Sequence, residues 1–375
     1  MAAAASFQIF CGFLSILLGQ SSEYLRQASE FTFYGAADIS AAVFLDPNHF
    51  ATANDESNVI RIYSIGKGDK PVAGIDLSEF LAVESRFPEA DIEAAARVDE
   101  TIYWVTSHGR NKDGKVRLSR YRFFATKIRN NPTEGTVSIE PFGNPCKTLI
   151  EQLLAYPKAE FLNLEQAVQM GAELSKKERE KLAPKKKGLN MEAMTYLPER
   201  GSLLIGLRNP LYKADKKSRK KAIAFELLNP AETAAGQAAK FGEIVLWDLQ
   251  ERGLRGMEYD PSRKVHFILA GPVDEESTCA MYVWDGDFEH CPALAGEWSS
   301  EDTFTPEGIA VHPVSGALWI FSDDGTLEKE VRSPAECMEG ELLPNGKCPN
   351  KFLTDELRKS FRVRVYEQPM EFPQL

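Results

Sequence analysis

The chain repeats itself, because five segments share one pattern and align on one another. In each, a polar or charged residue precedes a small residue and a strand-like run, and a turn begins six residues after the polar position. A second strand-like run follows the turn and ends in polar or glycine-rich chain. The segments are 38–57, 91–111, 190–210, 254–272 and 305–325. Repeats of this kind indicate supersecondary units that pack side by side.

Further strand-like sequence follows each hairpin, so each repeat predicts a four-stranded antiparallel unit. The fifth unit has only "FRVRVYE" near the C-terminus, and "EFTFYG" (30–35) supplies its missing strand. Joining both ends of the chain in one sheet protects the last edge of a radial array. We therefore predict an all-β fold, a β-propeller domain over residues 30–370 with five four-stranded blades. Six or seven blades remain open if an insertion has been mistaken for a linker.

A helical insertion is predicted between the second and third blades, at about residues 146–187. The runs "LIEQLLAY" and "LEQAVQMGAEL" have the apolar spacing of amphipathic helices, which suit packing outside the propeller or over one face. Surface insertions are more often decoration than lids. We expect decoration here.

Charge argues against nucleic acid as a partner, since the net charge is −11 and the pI is about 5.2. The Lys-rich stretches 175–188 and 213–221 are not interleaved with aromatic residues, so we interpret them as solvated loops. Residues 1–22 hold an apolar run too short to span a bilayer. That run suits a signal peptide, although no Lys or Arg precedes it. We expect a periplasmic or secreted protein without a membrane span.

The cysteines fit an oxidising compartment. Cys279 and Cys291 are twelve residues apart, Cys337 and Cys348 are eleven apart, and each pair encloses a turn-rich segment. Two local disulfides are therefore predicted. Cys146 would be a buried free thiol.

The repeat makes a specific prediction about polar residues on the innermost strands. These strands line the central channel of a propeller, so their polar positions should converge around its axis. The aligned positions are Ser40, Glu93, Glu192, Arg255 and Glu307. In the fourth unit Glu258 lies too close to the turn, and Arg255 is the residue that aligns.

The second strands should deliver another ring of polar residues to the same channel mouth. Its predicted members are Asn54, Asp55, His108, Arg110, Asn111, Arg208, Asn209, Asp323 and Asp324. Gly271 takes this place in the fourth unit.

Charges buried in a narrow channel are costly unless they pair or bind something. One interpretation is a belt of Glu–Arg pairs that locks the blades together. The other is a site for a polar ligand. Its catalytic candidates are Glu93, Glu192, Glu307 and His108, and its substrate-binding candidates are the other residues of the two rings except Ser40 and Gly271.

The glutamates could work as acid and base, or could hold a hard divalent cation such as calcium with Asp55, Asp323 and Asp324. Arg110, Arg208 and Arg255 oppose a cation and suit an anionic group on a substrate. The separation of two carboxylates in a glycosidase cannot be deduced from sequence. The chain lacks GxSxG, GxxxxGK[ST], HExxH and GxGxxG patterns.

Four blocks carry a resemblance to a known family. They are "DISAAVFLDPNHFATANDESNVIRIY", "ADIEAAARVDETIYWVTSHGRNKDGK", "GLNMEAMTYLPERGSLLIGLRNPL" and "RGLRGMEYDPSRKVHFILAGP". They resemble the bacterial domain-of-unknown-function family 3616 over most of residues 30–330, which implies a propeller without an established activity. "NMEAM" and "GLRNP" also resemble esterase-like phytase and lactonase propellers, where an inner-strand glutamate faces the axis.

Two functions are therefore expected. The first is an exported hydrolase or lyase acting on an anionic or sugar-like small molecule at the channel mouth. The second is a non-catalytic propeller that binds a ligand or a protein partner, with a structural ring of charges.

Overall fold

The computed structural model describes residues 26–131, 135–273, 278–299 and 301–367. The strands of the first half are β1 (Arg26–Tyr34), β2 (Ile39–Asp46), β3 (His49–Asn54), β4 (Ser57–Ser64), β5 (Ala73–Asp76), β6 (Ile92–Val98), β7 (Thr101–Thr106), β8 (Phe123–Asn131), β9 (Thr136–Cys146), β10 (Asn190–Leu197) and β11 (Ser202–Asn209). Those of the second half are β12 (Ala222–Leu227), β13 (Phe241–Trp247), β14 (Gly253–Asp260), β15 (Val265–Gly271), β16 (Ala280–Trp284), β17 (Ala293–Glu297), β18 (Pro306–Val311), β19 (Leu318–Ser322), β20 (Glu328–Lys329), β21 (Cys348–Pro349) and β22 (Ser360–Glu367). The predicted signal peptide lies outside the described residues.

The strands form five four-stranded antiparallel sheets, which confirms the five-bladed propeller. Their orders are β2-β3-β4-β5, β6-β7-β8-β9, β10-β11-β12-β13, β14-β15-β16-β17 and β18-β19-β22-β1. The N-terminal strand β1 completes the fifth blade by pairing with β22, with Phe33 opposite Phe361. This confirms the prediction that strands from the N-terminal and C-terminal parts of the chain share the fifth sheet.

The hydrophobic core lies mainly between neighbouring blades, where the faces of adjacent sheets meet. Between the third and fourth blades, Trp247 and Trp284 are fully buried with ring centroids 5.0 Å apart. Between the fifth and first blades, Phe33 and Phe50 lie in an aromatic cluster, with their ring centroids 5.1 Å apart. Each blade is thus stabilised by its neighbours on both sides.

The insertion after β9 contains short helices: α2 (Leu149–Leu154), α3 (Glu165–Val168) and α4 (Lys176–Glu180), with a 3₁₀ turn at Pro157–Leu162. Elsewhere α1 (Ser78–Leu81) and α5 (Pro230–Ala234) lie in connections between strands. The helix expected over 164–174 is only α3, because the chain turns into a left-handed conformation at Gln169 with φ 43°. Leu149 and Leu153 pack into the core between the second and third blades.

One of the two predicted disulfides is present in the structure. Cys337 and Cys348 form a disulfide beside the β20–β21 hairpin. The predicted Cys279–Cys291 disulfide is wrong, because Cys279 is a free thiol. Cys279 lies beside Arg255 instead, since a Cβ added at Gly271 would lie 2.4 Å from Arg255 Cδ and 3.1 Å from Cys279 Sγ. Cys146 is a buried free thiol, as predicted.

No helix within the described ranges is long and apolar enough to cross a membrane.

Candidate functional site

The five aligned polar positions occupy the same place in the five inner strands. In each inner strand the pairing register with the next strand shifts at that residue. Such a bulge leaves one residue out of the ladder and re-aims its side chain. We call the five residues the axial ring: Ser40, Glu93, Glu192, Arg255 and Glu307.

The small residue that follows each ring position has a steric cause. A Cβ on Gly256 would lie 2.8 Å from the backbone oxygen of Glu307, on the neighbouring inner strand. A Cβ on Gly308 would lie 3.1 Å from Phe321 Cβ and 3.4 Å from Ile39 Cγ2. The inner strands approach so closely around the axis that these positions need glycine or alanine.

The axial ring brings three carboxylates together. One oxygen from each of Glu93, Glu192 and Glu307 lies within 4.8 Å of the others, and all three residues are buried. Arg255 links two of them, with Nη2 2.5 Å from Glu307 Oε1 and Nε 3.8 Å from Glu192 Oε2. Arg208, from the second strand of the third blade, donates to Glu192 Oε1 at 2.9 Å. Glu93 has no ion-pair partner among the described residues.

The channel at this level is narrow and is lined by apolar residues as well as acids. Ser40 and the three glutamates line a cavity of about 10 Å³, roughly the space of one water molecule. Two positions further along the inner strands, Met194, Met257 and Ile309 also line it.

Burial and repulsion between carboxylates raise the pKa values of two acids of the ring, Glu307 and Glu93. Burial raises the pKa of Glu307 to about 7, although Arg255 opposes the shift. Burial, reinforced by Asp91 and Glu192, raises the pKa of Glu93 well above its usual range. Burial alone would lower the pKa of Arg255, but Glu307 and Glu192 outweigh it and raise that pKa. The ring thus holds two carboxyl groups with raised pKa values, and that of Glu307 lies near neutral pH.

Two buried atoms of the ring lack hydrogen-bond partners. They are Glu192 Oε2 and Arg255 Nε, which are 3.8 Å apart. This separation is too long for a direct hydrogen bond. A polar atom placed between or beside them would satisfy both, so the ring has capacity for an additional polar group.

The predicted second ring is only partly assembled. Arg208 reaches the axial ring, and Asp55 and Asp323 lie near its mouth, where their charges act on Glu93 and on Glu307 respectively. Asp324 is drawn away by Arg362, whose Nη2 is 2.7 Å from Asp324 Oδ1.

The other members of that ring have local structural partners. The Arg110 guanidinium donates to the carbonyls of Gln169 at 2.8 Å and Gly114 at 2.9 Å, which fastens the insertion. Asn209 Nδ2 also donates to the insertion, at the carbonyl of Lys186. Asn54 and Asn111 accept hydrogen bonds from main-chain N–H groups of the turns that follow them.

His108 does not line the axial cavity. It is buried with a left-handed φ of 51°, and its Nδ1 lies 2.9 Å from the Thr106 carbonyl oxygen. Burial lowers the pKa of His108 to about 4. The imidazole is therefore neutral at neutral pH.

The sequence reasoning missed Asp38 and Asp91, which lie at the mouth. Each stands two residues before a ring position, in "DIS" and "DIE". Arg120 Nη1 pairs with Asp91 Oδ2 at 2.7 Å, and Asp38 bridges to Asp323 of the fifth blade. Because both aspartates stand at the same distance before a ring position, this repeated spacing could have identified them from the sequence.

These observations define the class of protein, a five-bladed β-propeller with a carboxylate-rich site on its axis. No family model matches the chain, and no curated protein does. Solved structures that resemble it include glutaminyl cyclase of Myxococcus xanthus, at 11% identity and a TM-score of 0.39, covering 91% of this chain and 96% of that chain.

Two further structures resemble the chain. One is a nidogen/laminin complex, at 10% identity and a TM-score of 0.36, covering 78% of this chain and 74% of that chain. The other is the β-propeller domain of Cps50 (Swd1) from Myceliophteria thermophila, at 10% identity and a TM-score of 0.34, covering 92% of this chain and 99% of that chain.

Proposed function

We propose that the protein is an enzyme, a lyase or hydrolase, that acts on a small polar molecule at the mouth of the central channel. Glu93 would serve as the general acid and Glu307 as the general base. One observation carries the proposal: two carboxyl groups on one ring have different electrostatic surroundings. Glu307 is paired with Arg255, whereas Glu93 has acidic neighbours and no ion-pair partner among the described residues.

This difference divides the roles of the two groups. A protonated Glu93 can donate a proton, and Glu307, with a pKa of about 7, can accept one near neutral pH. Pairs of titratable groups whose surroundings push them into different protonation states are typical of acid–base catalysis. Glu192 would be a positioning residue, since it holds both Arg208 and Arg255.

Size limits the reactions that the ring can support. A cavity of about 10 Å³ admits a single polar atom of a substrate, such as a hydroxyl or carbonyl oxygen. Inverting glycosidases need carboxyl groups about 6.5–9.5 Å apart to hold a water between them, and the ring oxygens lie within 4.8 Å. The geometry favours proton transfer to or from one atom of a molecule held in the mouth.

Charge also limits the substrate. Four aspartates lie at the mouth, each next to an end of the two innermost strands of its blade. They are Asp38, Asp55, Asp91 and Asp323. Arg208 and Arg255 are already paired with glutamates. An anionic molecule would meet repulsion there, so we propose a neutral, sugar-like or cationic substrate in place of an anionic one.

An extracytoplasmic location is part of the proposal. The Cys337–Cys348 disulfide supports it, because disulfides persist mainly in oxidising compartments.

A second candidate is a non-catalytic propeller in which the ring is a structural belt. The observation that favours it is Arg255 of the fourth blade, which joins Glu192 of the third blade to Glu307 of the fifth. Such a bridge ties three blades together without any ligand.

The test is a thermal-shift screen of sugars, lactones, amines and amino acids against the full chain, followed by NMR detection of turnover for each hit. Glu93→Gln and Glu307→Gln are compared with Glu258→Gln. Glu258 is a half-buried glutamate of β14 that does not line the axial cavity.

The proposal expects turnover that both ring variants reduce at least about a hundredfold and that Glu258→Gln retains. Turnover that survives in folded ring variants would contradict it. A screen without any hit would favour the structural belt.

A further inference from the structure

A second group of carboxylates lies at the mouth and shares no residue with the axial ring. One oxygen from each of Asp38, Asp55 and Glu56 lies within 4.8 Å of the others. Asp38 directly precedes β2, while Asp55 and Glu56 form the turn between β3 and β4. Asp323 adjoins them, since its backbone bridges to that of Asp38. We call these four residues the acidic cluster.

The cluster contains buried oxygens without partners. Asp38 is only 5% exposed, and its Oδ2 has no hydrogen-bond partner. Asp55 Oδ1 is likewise buried and unpartnered. A buried acceptor without a partner costs about 1–3 kcal/mol, and more when it is charged. Two such oxygens in one group of acids would be satisfied by a bound cation.

The main chain holds the Asp38 carboxylate in place. A Cβ on Gly325 would lie 2.6–2.8 Å from the Asp38 carboxylate atoms. The carboxylate is therefore packed directly against Gly325 and cannot turn toward that side. Glu56 is exposed, so an ion from solvent has a route into the cluster.

The cations at hand do not balance the charge. Lys351 Nζ pairs with Glu56 Oε1 at 2.6 Å, and it acts electrostatically on Asp38 and Asp55 as well. Lys359 also acts on Asp38, more weakly than Lys351. Within the described residues neither lysine forms an ion pair with Asp38 or Asp55, so these two carboxyl groups lack a direct cationic partner. A divalent cation would supply one, and Lys351 would compete with it for Glu56.

We propose that the acidic cluster binds one Ca²⁺ ion. The donors are all oxygens, from carboxylates, and no His or Cys belongs to the cluster. Hard cations prefer such donors. Ca²⁺ is favoured over Mg²⁺ because an irregular set of side chains from two turns suits its flexible coordination at about 2.3–2.6 Å. Water and main-chain carbonyls would complete the shell.

The position gives the ion a structural consequence. Asp38 and Asp55 belong to the first blade, and Asp323 directly follows β19 of the fifth blade. A bound ion would tie these two blades together where the ring of blades closes. We therefore expect Ca²⁺ to raise the melting temperature of the chain. This inference does not depend on the proposed acid–base chemistry.

The test is isothermal titration of CaCl₂, and separately of MgCl₂, into chelator-treated full chain. The variants are Asp38→Asn, Asp55→Asn, Lys351→Gln and, as a control on the axial ring, Glu93→Gln. Circular dichroism establishes whether each variant is folded. If one aspartate variant does not fold, the other is sufficient for the test.

We expect one Ca²⁺ per chain and weaker binding of Mg²⁺. Either aspartate variant should weaken Ca²⁺ binding at least about tenfold, since ligand charge sets affinity in such sites. Lys351→Gln should tighten it, and Glu93→Gln should leave it unchanged. The inference is overturned if folded wild-type chain binds no Ca²⁺ at about 10 mM, roughly tenfold above the weak end of protein sites at about 1 mM. It is also overturned if Glu93→Gln abolishes binding while the aspartate variants retain it.

Discussion

Replacing Glu93 by glutamine should stabilise the protein at alkaline pH. The substitution keeps the size of a buried side chain and removes a carboxyl whose pKa is raised well above its usual range by burial, Asp91 and Glu192. The pKa of Glu93 is raised on folding, so the folded chain retains a proton that the unfolded chain releases above about pH 4.3. The free energy of unfolding therefore falls as the pH rises from there through the folded pKa. Glutamine is neutral in both states and avoids this loss.

The distance in the ring sets the size of the effect. For carboxylate oxygens that lie within 4.8 Å of one another, two like charges repel by at least roughly 3.5 kcal/mol when the effective dielectric constant is about 20. The net cost is smaller, because protonation lets Glu93 avoid the repulsion. We expect Glu93→Gln to gain about 1–3 kcal/mol at about pH 8. A gain of about 2 kcal/mol would raise the melting temperature by about 3 °C in a domain of this size.

The matched control is Glu192→Gln, which makes the same chemical change one blade away. Glu192 is paired with Arg208 at 2.9 Å and with Arg255 at 3.8 Å. Removing its charge leaves the buried Arg208 guanidinium without a carboxylate partner, although Arg255 keeps Glu307, and breaking such a buried pair costs about 3–5 kcal/mol. The two substitutions should therefore change stability in opposite directions.

The assay is urea unfolding followed by tryptophan fluorescence, at about pH 5 and about pH 8. Trp104, Trp247 and Trp284 are fully buried and should report the loss of the core. The gain from Glu93→Gln should shrink at the lower pH, where the unfolded chain also holds more of that proton. If Glu93→Gln instead destabilises the protein as much as Glu192→Gln at both pH values, Glu93 is a paired member of a structural belt and the reasoning fails.

Three further predictions follow from other contacts. The stability of the wild type, measured relative to that of Glu307→Gln, should fall by up to about 3 kcal/mol as the pH rises. The fall should extend from about pH 4.5 through about pH 7, the folded pKa of Glu307. A difference between the two urea curves that does not vary with pH would contradict this. Arg110→Ala removes the donor to carbonyls of Val168 and Gln169, so trypsin should cleave the Lys-rich insertion faster. An unchanged cleavage rate would show that Arg110 does not fasten the insertion. Cys337→Ser opens a loop of sequence separation 11 and should cost about 3 kcal/mol by loop entropy, measured by calorimetry against the oxidised wild type. Equal stabilities of the two proteins would contradict this.

The blade number and the axial ring could be predicted from the sequence because one local feature recurs in every repeat. The ring residue sits at a bulge, and the next residue must be small, since the inner strands nearly touch there. Both requirements act within a few residues, so spacing alone identifies them. For the same reason the alignment selected Arg255 over Glu258.

The second ring could not be predicted equally well because its residues follow strands that lead into different loops. Arg110 and Asn209 are drawn to carbonyl oxygens of the insertion. Asn54 satisfies the turn that follows it. A sequence offset places the main chain, but local hydrogen bonds decide where these side chains point.

The failed Cys279–Cys291 pairing has a related cause. Closeness in sequence says nothing about which side of a strand a thiol faces, and Cys279 lies beside Arg255 near the channel. Burial raises the pKa of this thiol.

The most direct test of the account is whether Glu93 is protonated at neutral pH. The measurement is the infrared difference spectrum of wild type minus Glu93→Gln, recorded at about pH 7, where an ordinary glutamate is ionised. We predict a positive carbonyl-stretching band of a protonated carboxylic acid. A difference spectrum with only the bands of an ionised carboxylate would contradict the account.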